Sequence, residues 1–372
     1  AVIRLSGLSD REAAALVGLP PDTSDLATIM SQTAGNPLFL QAVNELEGSI
    51  DLASAVQRRL LGLSEEVQET LRLVSVLGLE FDLAVAAAAN DRDELDLLDD
   101  LEAAVAARLL IEVSADQFRF AHALIRASLR DQISAARRAR LHGRAARAYE
   151  EVYGDDPAHL PALAHHTAEA ATVDRRLRAV AVDRLVRAAA ESSAQFSFDE
   201  AADLLHRARQ LAPEEDALQG ATLAMAQGIA QLRSGDNRTA AHTFAEAIDD
   251  ARLTGDAWLL AEAAVRYEDA SWRPGLPGAL SLRYLDEAAA AIEEAATTTR
   301  DTDLLRARMA VARVRALAMA GQRAKAHVAF ASARELATKI GSPDIEADVL
   351  SVFLGQVLFY EDLDASAEMV QR

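Results

Sequence analysis

Few residues in this 372-residue chain have the type and spacing that chemistry needs. His165-His166, with His159 and Glu169 nearby, offer the donor atoms of a metal site. Adjacent helix positions point about 100° apart, so one helix cannot easily turn both rings onto one ion, and no cysteine supports them; no metal is expected. The carboxylate pairs Asp99-Asp100 and Glu293-Glu294 lie in Ala-rich helical stretches without an apolar pocket to raise one member, which argues against glycosidase-like acid and base work. No G-x-S-x-G elbow is present and no Ser–His–Asp order can be read from spacing. Nothing reads G-x-x-x-x-G-K-[ST], and lysine occurs twice, at Lys325 and Lys339. Without a phosphate-cradling loop and a magnesium-binding acid, the chain is expected not to hydrolyse ATP, and no catalytic residue is assigned.

The composition limits the elements that could position such residues. Apolar residues make up 51% and aromatic residues 5%, so Ala, Leu and Val dominate and helix-on-helix packing is expected. No apolar run is long enough to cross a bilayer, and cysteine is absent, which fits a cytoplasmic protein. A net charge of −20 opposes binding to phosphate backbones unless a local patch overrides it. One basic stretch exists: Arg119, Arg126, Arg130, Arg137, Arg138, Arg140, Arg144 and Arg147 face one acid before Glu150. There is no interleaved aromatic stacking platform for bases, so the stretch is expected to dock the acidic segment at 91–102 or a phosphate rather than nucleic acid.

Helix signals recur along the chain. Ser9-Asp10-Arg11-Glu12 has the pattern of a capping box and Pro20-Pro21 stops the helix that follows. A second helix is expected over 24–33, ending at Gly35, with Asn36-Pro37 starting a third. Two more follow over 52–61 and 64–77. Between positions 91 and 102, seven acids alternate with Leu95, Leu97, Leu98 and Leu101, as on a solvated helix. Residues 109–113 and 117–120 are β-prone runs around a tight turn, the one hairpin signal in the sequence. Helices, a hairpin and a further helix over 121–133 give the order of a winged-helix domain.

Beyond Ser134 the pattern is helical and periodic. A small residue, a large apolar residue four later and a small residue three after that recur as Ala201/Leu205/Ala208, Ala240/Phe244/Ala247, Ser281/Leu285/Ala288 and Ala326/Phe330/Ala333, and Ala365/Met369 begin a fifth. First members are 39, 41, 45 and 39 residues apart, enough for one antiparallel helix pair per unit. Small residues allow close helix approach and the large one fills the next groove, as in an α-solenoid. The segment 272–278 lengthens one unit and serves either as a connector or as part of a ligand-facing rim. The array is expected to be incomplete at its C-terminal end.

Three segments carry a resemblance to one family. Residues 33–40, containing Gly35-Asn36-Pro37, resemble the Gly-x-Pro motif of signal-transducing ATPases with numerous domains, the STAND class. Residues 118–126 resemble that class's winged-helix segment with its Met-His-Asp motif, here reading Ala121-His122-Ala123. Residues 163–201 look like the start of the tetratricopeptide-like arm of bacterial members, most similar to large ATP-binding regulators of the LuxR type and their cyclase-fused relatives. The resemblance implies an all-α chain with a minor β element: a lid fragment of the ATPase domain at 1–50, a winged-helix domain with one short hairpin at 51–152, and tetratricopeptide-like repeats at 153–372. It implies that Pro37, shaped by Gly35 and Asn36, packs on the adenine of bound nucleotide and that His122 reaches the β-phosphate of ADP. Ala123 stands where the family has Asp, which weakens that lock.

The implied cofactor is ATP or ADP with magnesium in the intact protein, not held tightly by this chain alone. Implied partners are the chain's own nucleotide-binding domain and an inducer or protein on the repeats. DNA would be met only through a module beyond the repeats, with no membrane contact, and oligomerisation on activation is compatible with the class. The resulting expectation is the sensor portion of an ATP-dependent transcriptional regulator. The alternative is a helical-repeat scaffold that holds another protein without nucleotide.

Overall fold

A computed structural model describes residues 8–33, 40, 59–154, 156–295 and 300–355. They divide into two compact units, Ala1–Leu177 and Arg178–Arg372 by their bounds. The fold is all-α with a minor three-stranded sheet, as the composition predicts.

In the first unit, α1 (Asp10–Val17) and α2 (Ser24–Thr33) share a small core of Ala13, Ala14, Leu26, Ile29 and Leu40. The Ser9–Glu12 capping box sits as the sequence indicates, and the helix ends two residues short of the expected Leu19. Glu12 accepts from the Ser9 amide at 2.9 Å, and Gly18 closes α1 with φ +70° in the left-handed region before Pro20. The helix expected from Asn36-Pro37 lies outside the described residues.

Further helices and a small sheet follow. Ser64 caps α3 (Glu65–Leu77) through a bond from the Val67 amide at 3.3 Å, and β1 (Glu80–Asp82) leads into α4 (Leu83–Asn90) and α5 (Glu94–Ala106). Strands β2 (Leu110–Ser114) and β3 (Gln117–Phe120) form the expected hairpin. The sheet order is β1-β3-β2, antiparallel throughout, with Phe81 of β1 opposite Phe118. The sequence reading missed β1, because three residues carry no readable alternation. Phe81, Phe118 and Phe120 pack together and anchor the sheet to the helices.

The acidic segment proves less uniform than a solvated face. Leu97, Leu101 and Ala104 of α5 are buried while Leu95 is exposed. Asp100 is buried too, accepting from the Thr70 hydroxyl at 2.8 Å and pairing with Arg92. Next come α6 (Ala123–Asp131), α7 (Ala135–Tyr153) and α8 (Leu160–Ala171), with α8 packed along α7.

The second unit is a run of antiparallel helices, each packed on the next in sequence: α9 (Arg178–Ala194), α10 (Phe198–Leu211), α11 (Ala217–Ser234), α12 (Asn237–Thr254), α13 (Ala257–Trp272), α14 (Gly278–Glu294), α15 (Arg300–Met319), α16 (Arg323–Ile340) and α17 (Pro343–Phe353). The periodic triads fall on alternate helices, α10, α12, α14 and α16. Their small members Ala201, Ala208, Ala240, Ala247, Ser281, Ala288, Ala326 and Ala333 are all buried. Phe244 shows why small residues are needed: a Cβ added at Gly228 of α11 would lie 2.6 Å from its ring. Ala365/Met369 lie outside the described residues.

Candidate functional site

Of the residues assigned to nucleotide, Gly35, Asn36 and Pro37 lie outside the described residues. His122 is described. It is the N-cap of α6, half-buried, and its Nδ1 accepts from the Leu124 amide at 3.2 Å. An Nδ1 that accepts carries no proton, so a neutral ring holds its proton on Nε2.

The basic stretch is distributed by local geometry. Arg126 donates to the Ser75 carbonyl at 2.8 Å, Arg137 to Glu69 at 2.8 Å, and Arg144 to Asp91 at 3.4 Å. These bonds tie α6 and α7 to α3 and to the turn before α5. Among the described residues, Arg144–Asp91 is the ion pair that links this stretch to segment 91–102.

The second unit holds a groove of about 430 Å³ built from every other helix. Glu262, Val265, Arg266 and Asp269 come from α13, Arg308, Val311, Ala312 and Arg315 from α15, and Ile345, Asp348, Ser351 and Val352 from α17. Aliphatic groups floor it and charges of both signs rim it. Beneath the rim lies Glu268, 1% exposed, held by Arg315 at 2.8 to 3.0 Å. Burial pushes the Glu268 carboxyl above the usual range, and Arg315 pulls it back. Both carboxylate oxygens are bonded by Arg315, and removing that partner would cost roughly 3–5 kcal/mol by analogy with other buried pairs.

Segment 272–278 contributes Arg273 to this groove. Arg273 and Arg315 each stand 5.2 Å from the Trp272 ring centre. Glu262 pairs with Arg266 at 3.2 Å, while its Oε2 is buried without a hydrogen-bond partner, its Arg308 neighbour being 3.8 Å away.

A second constellation was legible in the sequence only in part. His165 and His166 of α8 are joined by His142 of α7, and one nitrogen from each ring lies within 4.8 Å of the others. His142 Nδ1 and His166 Nδ1 are 2.8 Å apart. His166 also bonds to the backbone of Leu77, and Tyr149 stacks on its ring at 5.4 Å. One helix alone does not easily aim adjacent histidines at one point; here a ring from the neighbouring helix closes the group. His142 and His166 are buried and His165 is exposed. Burial holds His142 and His166 well below the usual imidazole range, reinforced by the neighbouring histidines and by Arg126, with Arg130 and Arg138 adding at His142.

No protein-family model matches this chain, and no curated protein matches it at a significant level. Among solved structures, the chain is similar to the crystal structure of a signal transduction ATPase with numerous domains (STAND) protein with a tetratricopeptide repeat sensor from Pyrococcus horikoshii. That likeness has 14% identity and a TM-score of 0.39, over 99% of this chain and 59% of that one. The present chain thus spans 59% of the length of that protein.

Proposed function

We propose that this chain is the sensor and regulatory portion of an ATP-dependent regulator of the STAND type, with transcription control of the LuxR type as the output of the intact protein. The reading is supported by the order of its modules, a winged helix followed by paired helices, together with the motifs at 33–40 and 118–126. The observation that carries it is the mixed-charge groove on α13, α15 and α17. A rim of Arg266, Arg273 and Arg308 against Glu262, Asp269 and Asp348, over an aliphatic floor, suits a zwitterionic or amphipathic ligand: a small inducer or a charged segment of a partner protein. Occupancy would favour one packing of the repeats and bias a nucleotide domain elsewhere in the protein.

In that protein, His122 would contact the β-phosphate of ADP and Pro37 the adenine, with magnesium supplied alongside the nucleotide. The experiment is calorimetric titration of ATP and ADP into the complete gene product. Nucleotide binding together with faster ADP release in His122→Ala supports the switch. Absence of nucleotide binding overturns it and leaves the scaffold reading.

A further inference from the structure

We infer that His142, His165 and His166 form a binding site for one divalent transition-metal ion of the zinc type. Two observations on the cluster carry this. Three imidazoles from two helices bring one nitrogen each within 4.8 Å of the others, the donor set of a three-histidine site with an open fourth position. The 2.8 Å Nδ1–Nδ1 contact requires one shared proton between His142 and His166, and a metal ion can take the place of that proton. His142 then carries its proton on Nε2, so both rings stay neutral and no proton is lost overall. Ligation at about 2.0–2.1 Å with tetrahedral angles places nitrogens about 3.3 Å apart, so the two rings separate by about half an ångström.

The surroundings fit the same assignment. His166 is bonded to the Leu77 backbone and covered by Tyr149, which fixes its ring in the way that outer partners orient metal-ligating histidines. His165 is exposed and gives the ion a path from solvent. Arg126, Arg130 and Arg138 oppose added positive charge, and a set of imidazoles without carboxylates disfavours magnesium and calcium. The ion selected is therefore one with high affinity for imidazole, such as zinc, nickel or copper.

The test is titration of cobalt(II) chloride into the full chain, free of any histidine tag, followed by its visible d–d absorption and by displacement with zinc. The expected result is one equivalent of cobalt in a tetrahedral-type spectrum, displaced by zinc. His165→Ala changes an exposed side chain, so the fold is retained, and affinity should fall at least about tenfold. His206→Ala, on α10 of the other unit, should bind as the parent does. Absence of a one-equivalent spectrum, or unchanged affinity in His165→Ala, overturns the assignment.

Discussion

Gly228 and Phe244 show how tightly single residues are set in the repeats. Alanine is the better helix former by about 1 kcal/mol, which alone would make Gly228→Ala stabilising. The added Cβ would meet three ring atoms of Phe244 at 2.6 to 2.8 Å, and Phe244 is fully buried with nowhere to move. Overpacking of this kind costs about 1–3 kcal/mol, so the net effect of Gly228→Ala is destabilisation, read from urea unfolding. The pair is coupled, and Phe244→Leu should recover part of the Gly228→Ala loss in a double-mutant cycle. Strict additivity would show that the contact is not the cause.

At the scale of elements, α13 depends on a local device and carries much of the groove. Asp256 precedes it and accepts from the amides of Trp258 and Leu259 at 2.9 and 3.0 Å. Asp256→Ala removes a side-chain acceptor from otherwise unpaired amides and should cost about 1 kcal/mol, while Asp256→Asn should cost little. Thermal unfolding of the two variants checks this, and equal losses would place the effect in charge rather than in capping. The groove pairs Arg315–Glu268 and Arg266–Glu262 involve α13, so fraying of its first turn would loosen the rim as well.

For the whole molecule, the histidine cluster couples the stability of the first unit to pH. His142 and His166 are held neutral in the folded state, whereas both take up protons near pH 6.5 once unfolded. The unfolded state then binds more protons at mildly acid pH, and stability rises with pH wherever that holds. The first unit should therefore lose stability as pH falls below about 6.5, with a slope of up to two protons, and the loss should continue until the lowered folded-state values are reached. Chemical unfolding between pH 7.5 and pH 5 in the presence of a chelator measures the slope, and His142→Gln should halve it. A pH-independent midpoint over that interval would mean that the rings are charged in the fold.

Local codes were legible in the sequence because they act within one turn of chain. Ser9 with Glu12 marked a helix start through bonds three positions apart, and the small-large-small triads marked helices that must approach closely. The hairpin at 110–120 was legible for the same reason, since its strands meet across a short turn. Strand β1 was not, because its pairing to β3 brings Phe81 to Phe118 across intervening helices. Asp100 looked like one acid among seven until packing set it between Thr70 and Arg92. The groove draws on α13, α15 and α17, and the histidine cluster joins His142 to a ring 24 positions along the chain. Such convergence depends on which helices lie side by side and on their rotation about their axes. Sequence periodicity states which face of a helix is buried; only the packed structure states which other face it meets.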